Sequence, residues 1–202
     1  GFDGYFTNGK NRSPESMLFT ISNIQAQPGA GTFKGNIRVE NLKAPDVLLN
    51  ADVDLNLDFI SKFLSMEELH DLKGNANITL DYHDVVDLEN PQKTLSELNQ
   101  KYKMNIKLDK VRFQHEALPV PVKELNLTAD VHGHEAAILK FDLLAGKSDL
   151  HFTGIIEDIP AIVHHTNTPV ATHLHIKSQF LDIFELTGGN ESAVDEEIRD
   201  LQ

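Results

Sequence analysis

The chain contains no cysteine and no tryptophan. Without a thiol there is no cysteine nucleophile, no disulfide and no thiolate ligand for zinc. Basic residues are scarce: Lys plus Arg number 18 against 31 Asp plus Glu, a formal net charge of −13. Nucleic acid needs a basic footprint for its phosphates, so this balance argues against it. It argues equally against an electrostatic anchor on anionic lipid. It does not argue against holding acyl chains, which is an apolar task. No apolar run approaches the roughly 18 residues that a membrane-crossing helix needs, and no basic start leads into an apolar segment of the signal-peptide kind. The opening Gly1-Phe-Asp-Gly-Tyr-Phe6 has neither an initiator Met nor a recognisable domain start. It reads as a piece of a longer protein, with any anchor or export signal outside it.

What is present is alternation. The 202 residues are 40% apolar, enough to build a core. Strict apolar–polar alternation predicts half-buried strands. Val47, Leu49, Ala51, Val53, Leu55, Leu57 and Phe59 share one parity; Leu48, then Asn50, Asp52, Asp54, Asn56 and Asp58 share the other. Ala76, Ile78, Leu80 and Tyr82 alternate with Asn75, Asn77, Thr79, Asp81 and His83 in the same way. From Glu124 to Gly154 the pattern predicts a three-stranded meander. Leu125, Leu127, Ala129 and Val131 lead to a turn at Gly133. Ala137, Leu139, Phe141 and Leu143 return to a turn near Gly146, and Leu150, Phe152 and Ile156 share the third strand's apolar face. Further strands are predicted at Met17–Ile21, Phe33–Val39 and Met104–Leu108.

Helix signals are few. Ser65–Glu68 is a capping box leading to Leu69 and Leu72. Asn90-Pro91 is a cap and first turn for a helix over Pro91–Tyr102. Gln179–Leu186 has room for one or two turns, and the acidic stretch 189–202 reads as a frayed tail. A degenerate internal repeat runs through residues 1–188, taken as a single β-rich section. One unit, about 31–72, opens on Phe33-Lys-Gly35 and closes on Phe59 and Phe63. The other, about 150–188, opens on Phe152-Thr-Gly154 and closes on Phe180 and Phe184. Repeats of open sheet units stack edge to edge, which favours an elongated body over a closed one.

Several motifs fail on inspection. Gly146-Lys-Ser148 resembles a phosphate loop, but the first Gly of that loop's spacing falls on Phe141. Asp52-Val-Asp-Leu-Asn56 resembles a calcium loop, but the positions needing Gly and a closing Glu hold Leu57 and Phe63. His164, His165, His173 and His175 cluster within fourteen residues. Two residues apart on a strand, His173 and His175 lie on one face, as two metal ligands do, and a metal site is the alternative reading. Because Leu174 and Ile176 fill the opposite face, the reading adopted is that the histidines occupy a wet face and no metal is bound. No nucleophile elbow, zinc-protease or dinucleotide motif appears, so the chain is read as non-enzymatic and without a cofactor.

One arrangement is familiar. A strand ends in a Gly146-x-Ser148-Asp149 turn, the next carries Gly154, and a later strand runs into Leu181-Asp182-Ile183. Phe33-Lys-Gly35 and Asp52–Leu64 repeat parts of it. From about Gly31 to Gly188 the chain resembles the AsmA-like proteins, the repeating-β-groove envelope proteins related to AsmA and TamB. Residues 84–102 have no counterpart in that pattern. The resemblance implies a periplasmic section of a Gram-negative protein, anchored in the inner membrane by a helix outside this chain. It implies a role in outer-membrane biogenesis and in passing phospholipid along an apolar β groove. The partners implied are a phospholipid or other acyl-chain lipid, other sections of the same long chain, and envelope proteins. No catalytic residue is carried over.

The expected architecture is therefore mainly β with a few short helices: an elongated, curved antiparallel sheet of repeated strand units with an apolar inner face. Val53, Leu55, Leu57, Ile78, Leu80, Leu127, Leu139, Phe141 and Phe152 are the candidate groove residues. The competing expectation is a ligand-free structural or protein-interaction scaffold in the envelope.

Overall fold

The computed structural model describes residues 1–27, 31–59, 69–86, 102–159 and 169–188. Ten strands run in chain order: β1 (Asp3–Thr7), β2 (Leu18–Ala26), β3 (Gly31–Glu40), β4 (Asp46–Asn56), β5 (Leu69–Val85), β6 (Tyr102–His115), β7 (Val122–His132), β8 (Glu135–Ala145), β9 (Ser148–Ile156) and β10 (Thr172–Lys177). Each pairs with its sequence neighbours in one ten-stranded sheet, with β1 and β10 at the edges. All pairings are antiparallel, and the sheet is curved and does not close. The chain is mainly β, as the alternation predicts.

Directly opposite residues of an antiparallel pair share a face, so register converts each strand's alternation into one surface. Phe33, Val53, Ile78, Ile106, Ala129 and Ile138 stand opposite one another on successive strands from β3 to β8. A second row, from β4 to β10, holds Leu55, Ala76, Leu108, Leu127, Phe141, Phe152 and Ile176. The reverse face is polar and tied across strands. Asn50 Nδ2 donates to Asp81 Oδ1 at 2.6 Å, and Thr79 Oγ1 donates to Asn105 Oδ1 at 2.9 Å.

Bulges divide the sheet. The β3–β4 and β4–β5 ladders run without a shift of register, whereas all four ladders from β5–β6 to β8–β9 are interrupted. A bulge adds a residue to one strand, bends it and raises the local twist. At three bulges the backbone is left-handed at a non-glycine residue, Asn23 (φ 53°), Asp71 (φ 54°) and Lys110 (φ 49°). At the first and last of these an Asn across the sheet accepts the N–H that the ladder drops: Asn36 Oδ1 at 3.0 Å from Asn23 N, and Asn126 Oδ1 at 2.9 Å from Lys110 N. The buried apolar cluster Ala129, Val131, Ala136 and Ile138 lies in this interrupted part, with Tyr102, Met104, Ile106, Phe141, Phe152 and Ile159 packed around it.

The meander and both its turns agree with expectation: Gly133 and Gly146 have φ of 56° and 55°, the left-handed backbone that a tight hairpin asks of its first turn residue. Four local expectations are corrected. Leu69 and Leu72 belong to β5, not a helix: Leu69 pairs opposite His115 of β6, Leu72 falls in the bulge between His70 and Lys73, and tertiary pairing of the strand overrides local helix signals. Tyr102 opens β6. Leu57 and Phe59 leave the strand face, since β4 ends at Asn56 and residues 57–59 are helical. Leu139, with Ala137, is the fourth and is treated below. The capping box at Ser65–Glu68, the helix expected over 91–101 and the tail 189–202 lie outside the described residues.

Candidate functional site: the apolar sheet face

Val53 and Leu55 on β4, Ile78 and Leu80 on β5, Leu127 on β7, Phe141 on β8 and Phe152 on β9 share the apolar face, and all are half-buried. Among the described residues no large side chain is wholly buried, and no residue of β1–β4 is more than half-buried. Towards the β9 side the face tightens. The Phe141 and Phe152 rings stack with centroids 4.0 Å apart and planes 19° apart, a geometry that adds to simple burial. Burial raises the Tyr102 phenol above its ordinary value, as a low-dielectric apolar surface does to a group that would become charged. The charged residues of β4, Asp46, Asp52 and Asp54, stand on the reverse face.

Leu139 does not join this surface, and neither does Ala137, which stands opposite Asp130 and Ile155 on the reverse face. Between Ile138 and Phe141 the β8–β9 register slips, and Leu139 falls in the bulge. Its side chain is 55% exposed, while Ile138 is 9% exposed and faces the apolar side. The run Ala136-Ala-Ile-Leu139 is apolar at both parities, so alternation alone does not choose between Ile138 and Leu139; pairing with β7 and β9 chooses. Ala136 and Ile138 are the residues that sequence reasoning missed.

His173 and His175 are exposed on the polar face, opposite Ile155 and Thr153 of β9, with Leu174 and Ile176 on the apolar side. His164 and His165 lie outside the described residues. Among the described residues no three His, Asp or Glu side chains gather as metal ligands would.

The Gly146–Asp149 turn has a structural task. It holds the segment after β10, which ends in the short helix α1 (Ile183–Thr187). The Asp149 carboxylate accepts the N–H groups of Gln179 (3.0 Å) and Phe180 (2.7 Å), and Asp149 N–H donates to the Phe180 carbonyl at 3.0 Å. Ser148 Oγ accepts Asp182 N–H at 2.8 Å, and Asp182 caps α1 by accepting Glu185 N–H at 2.9 Å. Glu185 reaches back to accept Lys147 N–H at 2.9 Å. A Cβ at Gly146 would lie 2.6 Å from the Glu185 carboxyl. Each position of Gly-x-Ser-Asp thus has a contact in the Leu181-Asp182-Ile183 segment or beside it.

Compared with protein-family models, with curated proteins and with solved structures, the chain matches none.

Proposed function

We propose that this chain is a non-enzymatic lipid-binding section of a cell-envelope protein of the AsmA-like kind. In this reading the apolar sheet face takes acyl chains of a phospholipid, within the periplasmic part of a protein anchored elsewhere in its sequence. The observation that supports it is the combination of continuity and incomplete burial. Apolar residues stand opposite one another from β2 to β10, yet none of those on β2–β4 is sealed among the described residues. Removing such surface from water is favourable by about 25 cal/mol per Å² whether protein or acyl chain covers it. The absence of charge in the Val53 and Leu55 rows favours an acyl chain over a polar ligand.

The test uses the whole chain and a fluorescent fatty-acyl probe. Saturable binding is expected, with loss of most of it in Leu55→Asp while the thermal melt of that variant stays close to the parent's. A parent chain that binds no probe sinks the lipid reading and leaves the ligand-free scaffold.

A further inference from the structure

We propose that His151 is a proton-operated latch that fastens residues 178–188 to the β8–β9 hairpin. His151 Nδ1 lies 2.7 Å from Asp142 Oδ1, and its Nε2 lies 3.3 Å from Asp149 Oδ2. A neutral imidazole carries one N–H and leaves one of these carboxylates facing a lone pair; only the imidazolium donates to both. Asp149 Oδ2 is also the atom that accepts Gln179 N–H at 3.0 Å. One carboxylate thus joins the imidazole to the start of the strap, with Phe180 on its other oxygen.

The charges around the ring come from three strands. From β8, Asp142 faces Nδ1 and carries Lys140 Nζ at 2.9 Å on its second oxygen. From β9 comes Asp149. From β10, Lys177 stands directly opposite His151, and His175 lies one step along that face. The Asp142 hydrogen bond, aided by both carboxylate charges and opposed by desolvation, raises His151 above the ordinary imidazole value. Asp149 is lowered, first by the backbone donors Gln179 and Phe180, and Asp142 is lowered by His151 and Lys140.

The direction of the effect follows. The imidazolium pins the Asp149 carboxylate where it accepts Gln179 and Phe180; as pH climbs through the raised His151 value, the neutral ring lets one carboxylate go and this support fades. The lowered carboxylates hold until pH falls well beneath the usual carboxylate range. The latch is therefore tightest in mildly acidic solution and loosens towards alkaline pH. The strap bears the exposed side chains of Phe180, Leu181, Ile183 and Phe184, so the latch sets where this apolar surface stands relative to the sheet.

NMR on the full chain tests this. The His151 ring resonances give its titration midpoint. Amide exchange at Gln179 and Phe180, corrected for the intrinsic effect of pH, is expected to speed up about two- to five-fold across that midpoint, the range for an exposed ion pair. Amides of β4 serve as the control and should show no step. His151→Gln should remove the step, and Asp142→Asn should move it to lower pH. Protection that stays flat across the His151 midpoint overturns the proposal, as does a step that survives in His151→Gln.

Discussion

The strands β3–β5 and β6–β9 obey the same apolar–polar alternation and end in different environments. The ladders β3–β4 and β4–β5 pair Glu40–Gly31 with Asp46–Leu55, and Asp46–Asn56 with Val85–Asn75, without interruption, and β3 and β4 hold no buried residue. The ladders from β6 to β9 are each broken by a bulge, and Ala129, Val131, Ala136 and Ile138 are buried there. Added twist turns neighbouring strands towards one another, so side chains on the same face meet. Alternation therefore decides which face is apolar; in β6–β9 bulges accompany the closing of that face, whereas the β2–β3 bulge at Asn23 leaves β2 and β3 without a buried residue.

Substitution separates the two regions. The largest effect is expected for Ile138→Ala, which opens a cavity in the packed part and should destabilise by about 2–5 kcal/mol in a urea melt. Loss of under about 1 kcal/mol would mean that the β6–β9 face is as open as the β3–β4 face. Next comes Gly146→Val, at roughly 1–3 kcal/mol, since a β-branched residue is strained at positive φ and its Cβ meets the Glu185 carboxyl. The same substitution at Gly133, whose φ is similar, calibrates the backbone share; any excess at Gly146 measures the strap contact. Leu55→Ala should fall below about 1 kcal/mol, because a half-buried side chain leaves little cavity. A value near that of Ile138→Ala would erase the distinction between the two regions and place Leu55 in a sealed core. Smallest is Leu139→Ser, expected within about 0.5 kcal/mol as an exposed position. A large loss there would mean that Leu139, not Ile138, points to the apolar side.

Much of the site was legible because period-two patterning is a local property. Val53, Leu55, Ile78, Leu80, Leu127, Phe141 and Phe152 were assignable to one face from their own strands, and register merely aligned them. Leu57 and Leu139 were not. The first lies past a strand end marked only by Asn56, whose side chain accepts Phe59 N–H at 3.3 Å as a helix cap does, and which looks in the sequence like one more polar residue of the alternation. The second sits in a four-residue apolar run where both parities look alike, and a one-residue slip there inverts the face. The Gly-x-Ser-Asp turn was visible as a pattern, but its partners lie thirty or more residues further along the chain.

The sequence by itself determined the fold class, the identity of the apolar face along most strands, and the glycines at the Gly133 and Gly146 turns. These depend on neighbours one to four residues apart, where side-chain direction and allowed φ are set by covalent geometry. Only the tertiary structure decided where the ladders bulge, which end of the sheet is buried, that Leu69 and Leu72 join a strand and not a helix, and that His151 faces two carboxylates from different strands. Each of these depends on hydrogen bonds and contacts between strands, and no single segment carries the information for both partners of a pair.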